Sequence, residues 1–319
     1  MTDAAAQGAG DVYDVAIVGG GPAGLSAALN LVRARRRVLL IDSNRPRNSA
    51  TLVSHGYLTR DGISPLELRR LGREEFLGYE GAEHRMTQVQ AITRSDAGFV
   101  LDCSLRNKTS SAVAGTVLVA TGLTETLPGI AALRTFYGTS IHSCIECDGY
   151  DKRDQPLAVI GEHSDLAERA LLLAQWSDDL IVFTNGSDAI TLLEEETLDA
   201  RGIPVDRRAI AEIEGDRDGM SGLRLADGEV VARSGGFVRP TWSSELGFLD
   251  GVGAEFDSDG LLVVDDHGRT AVTGLYAAGE STAPGPQQLI VAAGSGARVA
   301  ATINRDLVGG IRDLADAVQ

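Results

Sequence analysis

The stretch DVAIVGGGPAGLSAALNLVRARRRVLLID, residues Asp14 to Asp42, decides the fold. Asp14 to Val18 is an apolar run of buried-strand length, ended at once by glycines. Gly19, Gly21 and Gly24 then keep the G-x-G-x-x-G spacing as a helix opens through Pro22 and Ala23. The first glycine permits a tight turn, the second lets backbone approach a pyrophosphate, and the third lets the helix pack closely on the strand. Amides at the helix start face the phosphate charge. Val38 to Ile41 supplies the next strand, and Asp42 ends it where a carboxylate can accept hydrogen bonds from a ribose. With both strands, the helix and the acid in register, the segment reads as the dinucleotide-binding βαβ unit of an α/β fold. Its spacing alone does not separate FAD from NAD.

Composition narrows the setting. A chain of 319 residues has room for about two domains. A formal net charge of -16 argues against nucleic acid or anionic membrane as a partner, since both demand basic surface. No apolar run approaches the ~20 residues of a membrane span. The opening MTDAAAQGAGDVYD lacks the basic start and apolar core of a signal peptide, and its first ten or so residues read as a disordered leader. Three cysteines do not make a disulfide framework, which points to a cytoplasmic, reducing setting.

The segment IHSCIECDGY places Cys144 and Cys147 in a C-x-x-C pair. Zinc would need about four ligands, and beyond the pair only Cys103 and scattered histidines are at hand. An inert thiol pair is a second possibility. A redox pair is the third: two thiols at this spacing, on a turn entering a helix, can close a small disulfide, and the helix end lowers a thiolate pKa. Asp148 follows directly as a candidate acid, and His142, two residues before the pair, is a candidate base. Cys103, in the strand-like FVLDCSL, reads as a core residue.

A second βαβ layout follows in VIGEHSDLAERALLLAQWSDDLIVF, Val159 to Phe183. Its turn offers Gly161, then His163 and Leu166 where the motif wants glycine and a small residue. Imidazole at the close-approach position obstructs a pyrophosphate, and Leu166 is expected to push helix from strand. After the next strand comes TNGSDAI, Thr184 to Ile190, with neither an arginine for a 2′-phosphate nor an acid for a ribose. Losing two charge-assisted bonds weakens NADPH binding by roughly 3–6 kcal/mol.

Two later segments, TVLVATG (Thr116 to Gly122) and GLYAAGE (Gly274 to Glu280), resemble the second and third fingerprints of flavoproteins with two dinucleotide domains. The resemblance implies FAD. Thr121 and Gly122 would run beside it, and Gly279 and Glu280 would contact its ribityl chain, Glu280 standing where aspartate is usual. QQLIVAAGSGARVAATINRDL resembles the family's final helix, whose start at Gln288 and Leu289 would lie under the flavin pyrimidine.

Together with C-x-x-C-D-G, these motifs resemble low-molecular-weight thioredoxin reductases over nearly the whole chain. That implies two Rossmann-like three-layer (ββα) dinucleotide-binding domains, the second inserted in the first. Residues 1–122 and 247–319 would form the FAD domain, and 123–246 a pyridine-nucleotide-like domain carrying the dithiol, its NADPH site degenerate. It also implies a homodimer, with Cys147 nearest the flavin and Cys144 exchanging with substrate. RNSATLVSHGYLTRDGISPLELRRLGREEF, Arg47 to Phe76, and several further runs resemble thioredoxin-reductase-like dithiol oxidases, which close disulfides in natural products such as gliotoxin and holomycin. By this resemblance Arg47 and Asn48 touch FAD and His55 stands near the flavin. Asp148 departs from it, because a histidine often follows the second cysteine in those oxidases. The expectation is an FAD-dependent oxidase of a small-molecule dithiol, with O2 as acceptor and H2O2 as product. The alternative is a disulfide reductase fed by NADPH, ferredoxin or a second flavin.

Overall fold

The computed structural model describes residues 12–283 and 285–309. The leader expected in the first ten residues lies outside them. The chain divides into two compact units, one drawn from Met1–Pro46, Leu66–Thr124 and Ser243–Gln319, the other from Arg47–Pro65 and Glu125–Trp242. The second is therefore inserted in the first, and the excursion Arg47–Pro65 groups with it although its neighbours on either side belong to the first.

In the first unit, the strands Tyr13–Val18, Val38–Asp42, Ala82–Met86 and Leu275–Ala277 run parallel in one sheet with the second half of the long strand Lys108–Val119. The first half of that long strand pairs antiparallel with Gly98–Leu105, which pairs in turn with Gln88–Ser95. One strand thus serves both a parallel sheet and a β-meander. Period-2 alternation sorts its neighbours into two cores. Val15, Ile17, Val38 and Leu40 face the helices Pro22–Arg33 and Leu289–Val308, meeting Ala27, Leu31, Val299 and Ile303. Ala16, Val18, Leu39 and Ile41 face the meander, meeting Ile92, Phe99 and Leu101. Helix, sheet and meander are the three layers.

The second unit repeats the plan. Five parallel strands lie in the order Val205–Asp206, Leu180–Phe183, Leu157–Ile160, Gly235–Val238 and Ile141–His142. Leu157, Val159, Val182 and Phe237 face the helices Leu166–Leu173 and Leu192–Asp199. Ala158, Ile160, Phe183 and Val238 face an antiparallel layer through Ile213, Leu223 and Leu225. Parallel strands buried on both faces explain why LAVI and LIVF read as unbroken apolar runs. The dithiol follows the edge strand Ile141–His142 at its carboxyl end, where open α/β sheets place ligands.

Candidate active site

In the first unit, the glycine turn does what its spacing dictates. Gly19 has φ +112°, and a Cβ there would overlap the Ala120 carbonyl. A Cβ on Gly24 would overlap the Gly19 carbonyl, so strand end and helix touch backbone to backbone. Around Gly21 there is nothing within 4 Å of a Cβ position, an open approach at the start of the helix that begins with Pro22. Ala23 is buried, and the final helix presses Gly296 against its backbone.

Asp42 ends the second strand as expected, but its carboxylate is already engaged by a buried guanidinium. Arg69 Nη2 donates to Asp42 Oδ2 while Arg69 Nε donates to the Gly20 carbonyl at 3.2 Å, tying the acid to the turn. No local pattern marks Arg69, which sits 27 residues downstream of its partner. Thr121 Oγ1 and the Gly122 amide both meet Ser281 Oγ, at 3.2 and 3.0 Å, and Glu280 Oε2 lies 3.9 Å from a Gly122 Cβ position. The Gly279 amide donates to Ser295 Oγ at 3.0 Å, fastening this corner to the final helix. Gln288 caps that helix in extended conformation and Leu289 is its first residue. The open cradle at Gly21, a strand-end acid and the gathered Thr121–Gly122 and Gly279–Glu280 segments fit FAD.

In the second unit, Cys144 and Cys147 form a disulfide. Cys144 caps the short helix Ile145–Asp148, and the Cys147 amide donates to Cys144 Sγ at 3.2 Å. Ile145, 1% exposed, pins this helix to the core beneath it. His142 and Asp148 flank the disulfide and meet each other: His142 Nδ1 lies 3.2 Å from Asp148 Oδ1. The other ring nitrogen, Nε2, donates to the Thr139 carbonyl at 2.9 Å, and Lys152 Nζ donates to the same oxygen at 2.8 Å. A carbonyl only accepts, so Nε2 carries hydrogen, and Nδ1 is the ring nitrogen that faces the Asp148 carboxylate. Cys103 is buried in the first unit and its thiol pKa is raised by desolvation, the behaviour of a core residue.

His55 lies in the dithiol unit and does not join His142 and Asp148. Its Nδ1 sits 3.3 Å from Asp61 Oδ1, and its Nε2 is 2.9 Å from Asp151 Oδ2, four residues beyond Cys147. Arg47 and Asn48 occupy a single 3-10 turn, Arg47–Ala50, of the same excursion.

The second nucleotide turn is rebuilt. Its helix starts at Leu166, five residues after Gly161, whereas the first unit's helix starts three residues after Gly19. Leu166 is fully buried and packs against Gly161, where a Cβ would come 2.9 Å from it. His163 Nε2 meets Thr241 Oγ1 at 3.1 Å. Two acids that sequence reasoning overlooked, Glu162 and Asp165, flank it. Glu162 Oε1 accepts from Asn185 Nδ2 at 2.6 Å, and Asp165 Oδ2 pairs with Arg239 Nε at 2.7 Å, the guanidinium lying 4.0 Å over the Trp242 ring. A pyrophosphate here would meet two carboxylates and lack the first helical amides. The arginines after the neighbouring strand are already committed, Arg207 to Glu195 and Arg208 to Asp206, Asp227 and Glu229. These residues do not fit NADPH.

Comparison with known proteins agrees with this architecture. The family model for pyridine nucleotide-disulphide oxidoreductases matches residues 13–296. A probable thioredoxin reductase from Arthroderma benhamiae is 35% identical over 55% of this chain, the aligned part being 44% of that protein. The crystal structure of a putative thioredoxin reductase from Bacillus anthracis is 37% identical, with TM-score 0.87 over 93% of this chain and 98% of that one. The crystal structure of HlmI is likewise 37% identical, with TM-score 0.87 over 96% of this chain and 95% of that one. Among the described residues no helix is long and apolar enough to cross a membrane. The chain belongs to the pyridine nucleotide-disulphide oxidoreductase family, as a thioredoxin reductase-like flavoenzyme whose cofactor is FAD.

Proposed function

We propose that the protein is an FAD-dependent dithiol oxidase that closes a disulfide in a small-molecule dithiol. The observation that carries this is the Cys144–Cys147 disulfide in a unit whose own nucleotide turn is occupied by Glu162, His163, Asp165 and Leu166. A substrate thiolate attacks Cys144 Sγ, the S–S bond breaks, and Cys147 leaves as thiolate. The second substrate thiol, deprotonated, attacks the substrate sulfur of the mixed disulfide and releases Cys144. The substrate loses two electrons and two protons; the enzyme disulfide gains the two electrons. The His142–Asp148 pair accepts a substrate thiol proton and returns one to a departing thiolate. Bound FAD supplies two-electron acceptance and reaction with O2, giving H2O2. The partners are thus a small dithiol and O2, and the working form a cytoplasmic homodimer.

Cys147→Ser tests the proposal. It should abolish dithiol-dependent peroxide release while leaving FAD bound. Retained turnover would end the dithiol mechanism, and NADPH-driven turnover in the parent protein would favour a reductase instead.

A further inference from the structure

The dithiol segment is held from below by a cation that the mechanism above does not use. Arg169 stands on the helix Leu166–Leu173, one turn past the rebuilt nucleotide turn. Its Nη2 donates to the Ser143 carbonyl, one residue before Cys144, at 2.7 Å, and more weakly to the Val238 carbonyl at 3.5 Å. Tyr137 holds Ser143 from its side chain, its hydroxyl donating to Ser143 Oγ at 2.9 Å. Arg169 Nε is buried with no hydrogen-bond partner. Among the described residues the guanidinium makes no direct ion pair; Asp165, the acid that acts on it most strongly, is paired with Arg239.

A largely buried cation whose hydrogen bonds go to neutral carbonyls, and whose nearest acid is shared with a second arginine, is only partly compensated. Its free energy falls when an anion forms nearby. Reduction of Cys144–Cys147 releases each sulfur as a thiolate, which either keeps its charge or takes up a proton, and a cation at this segment favours the charged form. We propose that Arg169 is a positioning residue that fixes the Ser143–Cys144 segment and biases the dithiol toward its reduced, anionic form. The inference rests on the reading that Cys144–Cys147 is the working redox pair.

Glu146 and Asp148 oppose a thiolate, and Lys152, held at the Thr139 carbonyl, acts electrostatically on Asp148, so Arg169 is the cation that rests on the Ser143–Cys144 segment itself. Burial lowers the Arg169 pKa; the charge of Asp165 opposes that, and so, less strongly, does Glu146 inside the C-x-x-C loop, so the guanidinium feels the loop's charge. Stabilising the reduced form makes a disulfide a stronger oxidant, and a lower pKa makes Cys144 a faster leaving group when the product ring closes. Both effects run in the oxidase direction.

The test is a redox equilibrium, which does not depend on which acceptor or donor the enzyme uses. The FAD-bound protein is equilibrated anaerobically with dithiothreitol mixtures, and the dithiol state is read by alkylation and mass spectrometry. Arg169→Met should lower the equilibrium constant for reduction about tenfold, a potential about 30 mV more negative. Arg169→Lys should stay within about threefold of the parent. An unchanged Arg169→Met, or equal shifts in both variants, would overturn the inference. Should Arg169→Met fail to fold, Arg169→Gln in the same equilibrium decides: a constant lowered well beyond that of Arg169→Lys supports the proposal, and one equal to the parent's overturns it.

Discussion

His142 Nδ1 and Asp148 Oδ1 stand 3.2 Å apart across the dithiol helix, while the opposite ring nitrogen is fixed on the Thr139 carbonyl. The fixed tautomer is what makes this contact chemical rather than merely structural. With Nε2 carrying hydrogen toward Thr139, Nδ1 is the nitrogen that can take or give a proton beside the carboxylate, next to the sulfurs whose protons must move. Asp148→Asn replaces the carboxylate by an amide that can donate to Nδ1 and leave the ring neutral. Reduction of the enzyme by dithiol should slow by about a hundredfold or more. Flavin content and the disulfide should be unchanged. Stopped-flow records from pH 6 to 9 check this, and a rate within threefold of the parent would remove Asp148 from proton handling.

The two close glycines of the first unit predict opposite failures. Gly21→Ala adds a methyl into open space, so the fold should survive while FAD affinity drops at least about tenfold. Gly24→Ala drives a methyl into the Gly19 carbonyl, so the helix must move off the strand and the protein should lose stability as well as flavin. Flavin-to-protein ratio and circular dichroism on the two purified variants separate the cases.

Acid should loosen the final helix. Asp306 accepts from Arg269 Nε at 2.7 Å, Arg269 Nη2 at 2.8 Å and Tyr276 Oη at 2.6 Å, and its pKa is lowered chiefly by the bonds from Arg269. A carboxylate with a depressed folded pKa contributes stability that is present above its unfolded value of about 3.9 and lost as pH falls through the lower, folded value. The melting temperature should therefore fall as pH drops below about 4. Asp306→Asn should melt lower at neutral pH and show a shallower acid slope; parallel slopes would mean that Asp306 carries none of it.

Restoring one glycine should not restore a nucleotide site. His163→Gly removes the imidazole but keeps Glu162, Asp165 and the late helix start. Calorimetry should find NADPH binding to this variant within about tenfold of the parent, and a larger gain would show that His163 alone blocks the turn.

What the sequence made legible was what local pattern encodes. Asp14 to Asp42 carries strand, turn, helix and strand in one continuous run, and the C-x-x-C spacing admits the bond that Cys144 and Cys147 form. Partners brought together by tertiary folding were hidden. Arg69 reaches back to Asp42, Arg169 crosses to Ser143, and Glu162 bridges to Asn185, each over a separation with no local signal. His142 and Asp148 were named singly, but only the strand-to-helix turn between them sets their distance. Leu166 was expected to force helix from strand; instead the helix begins later and buries that side chain, so the strain is taken up by the turn. Arg47–Pro65 reads as part of the first domain because its neighbours do, yet His55 ties it to Asp151 beyond the dithiol.

The most direct measurement is an anaerobic stopped-flow record of flavin absorbance, mixing the oxidised protein with NADPH and, separately, with a small dithiol. The flavin should bleach with the dithiol and not with NADPH, and admitting oxygen should restore its colour with release of peroxide. Fast bleaching by NADPH would contradict the account, because the turn that holds Glu162, His163 and Asp165 would then be a working entrance for hydride.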